Sequence, residues 1–97
     1  MTASLQKFMV AIPTPLRSYT EGRAEVALIV CATPPRLADA LATLELDYPG
    51  IRFRMVDEAG RVRPHIQIFV NGCIERNPEA ALPPGARIML VGALSGG

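Results

Sequence analysis

The residues best placed to do chemistry are the last two, Gly96 and Gly97. A glycine carboxylate has no Cβ beside it. Its carbonyl carbon therefore stays open to a nucleophile, and its backbone can enter a narrow channel at any φ. At average glycine usage, roughly 7% of residues, two given positions are both glycine only about 0.5% of the time. Four residues lead into the pair, Gly92, Ala93, Leu94 and Ser95. Extended, the whole stretch reaches roughly 20 Å, enough to bring Gly97 into a site buried in another protein. Gly97 is thus the candidate reacting residue, Gly96 gives clearance, and residues 92–95 give reach.

No competing set of reactive groups stands out. His65 is a lone histidine with no fixed acid or nucleophile beside it in sequence, and it reads as a strand-surface residue. Cys31 and Cys73 are far apart and lack His or Cys neighbours at metal spacing, so they read as structural, reduced thiols with no metal site. Gly22, Gly50, Gly60, Gly72 and Gly85 are isolated turn glycines rather than a phosphate-binding loop.

The composition fits one globular domain: 97 residues, 49% hydrophobic and 20% charged. A formal charge of +1 gives no general case for a nucleic acid or an anionic membrane as partner. Arg52, Arg54, Arg61 and Arg63 gather around Asp57-Glu58, a pattern that reads as a solvated edge. No run approaches the ~18 apolar residues of a membrane helix. The opening residues Met1 to Lys7 do not resemble a secretory leader, so a cytoplasmic protein is expected.

Elements that position the tail follow from periodicity. Lys7–Ile12 and Ala24–Val30 read as two antiparallel strands, separated by Pro13-Thr14-Pro15 and a Glu21-Gly22 turn. Thr33 as N-cap and Pro34 at the first helical position start a helix that Pro49-Gly50 stops. Its stripe is Leu37, Leu41 and Leu44. His65–Val70 and a short return from Cys73 flank Asn71-Gly72, a hairpin signal. Asn77–Leu82 reads as one helical turn, and Arg87–Val91 as the last strand. One amphipathic helix must cover one face of the sheet, and the helical crossover sets the first and last strands parallel and adjacent. This predicts an α+β protein of the β-grasp (ubiquitin-like) class, a mixed four- or five-stranded sheet on one main helix. The domain would occupy residues 1–91 and a flexible tail residues 92–97.

Strict alternation turns Phe8, Val10, Ile12, Ile66, Ile68, Val70, Ile88 and Leu90 toward the helix. Met9, Phe69, Met89 and Val91 then face outward as a candidate partner-binding patch beside the tail.

Element order, length and the Gly-Gly end together resemble the sulfur carriers of the MoaD/ThiS family, most closely the subgroup serving cysteine biosynthesis from a thiocarboxylate. The resembling segments are Ile12-Pro13-Thr14-Pro15-Leu16-Arg17, Tyr48-Pro49-Gly50-Ile51, Met55-Val56-Asp57, Ile66-Gln67-Ile68-Phe69-Val70-Asn71 and Ala93-Leu94-Ser95-Gly96-Gly97. One departure is Gly92, where such carriers often have proline. The resemblance implies a carrier that is not itself an enzyme. Its C-terminal carboxylate, on Gly97 here, would be adenylated by an E1-like activating enzyme using ATP and then converted to a thiocarboxylate. A sulfur-accepting synthase would be the second partner, and the carrier itself would bind no cofactor. The small subunit of a molybdopterin synthase and a ubiquitin-like interaction module without sulfur chemistry are the alternatives.

Overall fold

The computed structural model describes residues 5–92, and the elements follow the expected order. Strand β1 (Leu5–Ala11) leads through a short 3-10 turn at Thr14–Leu16 to β2 (Glu25–Cys31). Helix α1 (Leu37–Asp47) and the single turn α2 (Arg52–Met55) follow. Strands β3 (Ile66–Val70), β4 (Cys73–Ile74) and β5 (Arg87–Gly92) complete the described residues. They form one five-stranded sheet in the order β2-β1-β5-β3-β4. Strands β1 and β5 lie parallel at its centre, while β1–β2, β3–β5 and β3–β4 are antiparallel. This is the β-grasp arrangement.

Alternation decides which face is buried. On β2, Val26, Leu28 and Val30 are buried while Glu25, Ala27, Ile29 and Cys31 are exposed. Phe8 and Val10, Ile66 and Ile68, and Ile88 and Leu90 line the same inner face, against Leu37, Ala40, Leu41 and Leu44 of α1. Each of these side chains larger than Ala40 contributes about 1.5–3 kcal/mol on burial, which makes this apolar layer the main stabilising term. Val70, expected inside, is only half-buried at the end of β3. Asn71 and Gly72 both take positive φ, 51° and 84°, as a two-residue hairpin loop with strand-matching twist requires.

Three local expectations are corrected. Helix α1 starts at Leu37 rather than Pro34, because its first turn is capped from elsewhere. The Asp39 carboxylate accepts the Arg36 N–H at 2.8 Å, and the N–H groups of Leu37 and Ala38 donate to the carbonyls of Ala80 and Pro78. Thr33 plays no capping part among the described contacts. For the same reason Asn77–Leu82 is not a helical turn: its carbonyls serve α1, and Ala81 bridges to Arg36. Beyond α1, Ile51, Met55 and Val56 are buried through a helical turn, which leaves Phe53 exposed on its far side. The cysteines, expected as structural, are free thiols on exposed positions of β2 and β4.

Candidate functional site

The described residues end at Gly92, on the strand at the middle of the sheet. Gly92, assigned from the sequence to the tail, is the last residue of β5 and pairs with Ile66 of β3. Residues 93–97, which include Ala93, Leu94, Ser95, Gly96 and Gly97, lie outside the described residues. Gly92 therefore ends a strand held by neighbours on both sides, one parallel and one antiparallel. Two local devices stiffen this end of the sheet. Arg17 Nε donates to the Ile12 carbonyl at 3.0 Å, just beyond β1. Arg76 donates from Nη1 to the Ile66 carbonyl at 2.8 Å, and from Nη2 to the carbonyls of Val62 and Arg63 at 3.0 and 3.1 Å. Because β4 ends at Ile74, the Arg76 guanidinium supplies the donors that a longer β4 would have given β3.

The four outward residues proposed for docking do not form one even cluster. Phe69 lies opposite Met89, and Met89 opposite Ala11, so these three make a row across β3, β5 and β1. Met89 is 43% exposed, Phe69 and Val91 half so. Met9 instead faces Arg87, whose guanidinium crosses β1 to pair with Glu25, so Met9 stands at the margin beside an ion pair. The apolar row borders two grooves. One, about 600 Å³, runs from Met89 and Val91 past Ala11 to Pro13, Pro15 and Arg17. The other, about 440 Å³, lies between Phe69, Met89 and the Asn71-Gly72 turn. Sequence alternation found Phe69, Met89 and Val91 but missed Ala11 and the two prolines, whose place depends on the parallel β1–β5 register. Ile74, opposite Phe69 and 56% exposed, extends the row to the sheet edge.

No family model and no curated protein matches the chain. Solved structures do. It is similar to Mycobacterium tuberculosis CysO, described as an antigen, with 27% identity and a TM-score of 0.76 over 90% of this chain and 99% of that one. It is similar to a chain of the Amycolatopsis orientalis BexX/CysO complex, with 26% identity and a TM-score of 0.80 over 93% and 99%. The chain thus has a β-grasp, ubiquitin-like fold similar to that of these two proteins. SAMP1 from Haloferax volcanii has the same fold, at 23% identity and a TM-score of 0.79 over 94% of this chain and 99% of that one.

The remaining sequence candidates separate in space from the apolar row. Arg61 pairs with Asp57 at 3.6 Å, while Arg63 stacks on Phe53 with its guanidinium carbon 4.5 Å from the ring centroid. His65 is exposed immediately before β3. No group of three or more His, Cys, Asp or Glu side chains is placed to hold a metal among the described residues. No described helix is long and apolar enough to cross a membrane.

Proposed function

We propose that this protein is a sulfur carrier whose Gly97 carboxylate is the working group. In this reading an activating enzyme joins that carboxylate to AMP: a carboxylate oxygen attacks the α-phosphorus of ATP and pyrophosphate leaves. A sulfur nucleophile then attacks the acyl carbon, AMP departs, and a thiocarboxylate remains. The thiocarboxylate sulfur is the nucleophile delivered to the acceptor. None of these steps asks the carrier for an acid or a base. Its contribution is a chain end without side chains, aimed by a rigid sheet and recognised by a surface.

The observation that carries this reading is the short distance in sequence between Gly92, held against Ile66 in the sheet, and Gly97 only five residues on. Fixing the root of the tail lowers the entropy cost of threading it into a partner site. The apolar row of Phe69, Met89 and Val91 supports docking next to that root, since exposed apolar patches of this kind mark partner surfaces. We assign the acceptor to cysteine biosynthesis or a closely related thio-metabolite. The likeness to CysO, at 27% identity, and the resembling segments through Ile12–Arg17 and Ile66–Asn71 support that assignment.

Intact-mass measurement of protein taken from its native host tests the proposal. The expected species ends at Gly97 and has one carboxylate oxygen replaced by sulfur. In ATP–pyrophosphate exchange with the activating enzyme of the same host, deletion of Gly97 is expected to abolish exchange without altering folding. Near-normal exchange by the deletion, or a native protein that never carries sulfur, would sink the reading.

A further inference from the structure

We infer that Phe53, Arg54 and Arg63 form a second docking surface beside the tail root, one that fits an acidic patch on the activating enzyme. This rests on the sulfur-carrier reading for the partner's identity, and on geometry for everything else. The three residues and His65 surround a depression of about 250 Å³ in which no carboxylate takes part. Its position matters. His65 directly precedes Ile66, the residue opposite Gly92, so the depression borders the point at which the tail leaves the sheet.

The surface is built rather than incidental. Phe53 is 60% exposed, on the solvent side of the turn whose Ile51 and Met55 are buried. Arg63 stacks over its ring and donates Nε to the Phe53 carbonyl at 2.8 Å. The Arg63 backbone is fixed on both sides, its N–H to the Met55 carbonyl and its carbonyl to Arg76. The guanidinium is therefore held in one orientation with its Nη edge uncommitted, which removes much of the entropy penalty of forming a bidentate contact. Neither Arg54 nor Arg63 pairs with a carboxylate among the described residues. By contrast Arg61 and Arg87 do, at Asp57 and Glu25.

Length decides between an acidic protein surface and the phosphates of ATP. Gly97 lies five residues beyond Gly92, up to about 17 Å when drawn out into a channel. The nucleotide must meet the Gly97 carboxylate at the far end, so its phosphates cannot also rest on Arg63 at the near end. The partner's rim around the channel mouth is what comes close. Aspartate and glutamate side chains there would meet Arg54 and Arg63, and Phe53 would fill an apolar contact between them.

The test is ATP–pyrophosphate exchange and direct binding with the activating enzyme of the same host, comparing wild type with Arg54→Glu/Arg63→Glu at several salt concentrations. Charge at an interface rim acts mainly on association, so KM is expected to rise about tenfold with kcat little changed, and the salt dependence of binding to flatten. Arg63→Lys should recover part of the affinity. An unchanged KM beside normal wild-type exchange would overturn the docking surface and leave the carrier reading intact. Arginine-dependent binding without any exchange would overturn the carrier reading and uphold the surface. Binding that ignores both arginines, or ATP alone shifting the His65 ring resonances as strongly as the enzyme does, would overturn the surface.

Discussion

Gly92 faces Ile66 across the β3–β5 ladder, and a Cβ built on Gly92 would stand 3.9 Å from Ile66 Cδ1. That is ordinary van der Waals contact, and the Gly92 backbone lies outside the left-handed region. The glycine is therefore not required by the sheet. Gly92→Ala reduces unfolded-state freedom and should stabilise the domain by about 0.4–1 kcal/mol. For a domain of this size that is a rise in Tm of roughly 2–8 °C by circular dichroism. Exchange activity should stay near wild type, since Gly97, the residue proposed to react, is untouched. A lowered Tm would show that the position needs glycine after all.

Glu45 ties the end of α1 to the start of α2. Its Oε2 accepts the Gly50 N–H at 2.8 Å and its Oε1 the Arg52 N–H at 2.9 Å. These two backbone hydrogen bonds hold the Glu45 carboxyl below its ordinary pKa of 4.5. A depressed folded pKa contributes stability above the unfolded value, and that contribution disappears as pH falls through the folded one. Asp57 works in the same direction: the Arg61 N–H, then that of Ala59, lowers its pKa. Glu45→Gln should accordingly lower Tm at pH 7, with the gap to wild type closing as the solution is taken well below pH 4.5. A gap that persists unchanged into strong acid would show that the carboxylate charge plays no part.

Arg76 replaces the missing length of β4, because one guanidinium satisfies the carbonyls of Ile66, Val62 and Arg63. Arg76→Met keeps the aliphatic stem but leaves those acceptors to water or unpaired. The expected loss is about 1–3 kcal/mol in urea unfolding, the usual range for removing charge-assisted hydrogen bonds from part-buried acceptors. Arg76→Lys should regain only a fraction, since an ammonium cannot span the same fork. Equal stability of Arg76→Lys and wild type would contradict this bridging role.

Much of the architecture was legible because alternation and turn chemistry are local. The Val26, Leu28, Val30 series identified a half-buried strand, and Asn71-Gly72 identified its kind of turn without reference to anything distant. The strand before the Gly-Gly end, Arg87–Gly92, was legible in the same way. What escaped depends on partners far along the chain. Pro34 looked like a first helical residue, yet Asp39 and the carbonyls of Pro78 and Ala80 cap the helix at Arg36. Met9 looked equivalent to Met89, yet the Arg87–Glu25 pair across β1 sets it at the margin. The arginines around Asp57 read as a uniform solvated run, whereas Asp57 pairs with Arg61 and Phe53 with Arg63.

The apolar row yields the most direct test of partner docking. Met89 sits at its centre, between Phe69 and Ala11, with both grooves touching it. Its side chain is on the solvent face of a central strand, so replacing it changes the surface far more than the core. Met89→Glu places a charge where an incoming apolar surface would have to desolvate it without a partner. Central interface residues of this kind cost 2 kcal/mol or more when altered, so affinity for the activating enzyme should fall by about thirtyfold or more. Met9→Glu, beside Arg87 at the margin, should cost clearly less. Calorimetric titration of both variants, each checked by thermal unfolding, gives the comparison. Equal losses at the two positions would mean that the contact is centred on β1 rather than on β5. Unchanged affinity for Met89→Glu would remove this face from the interface altogether.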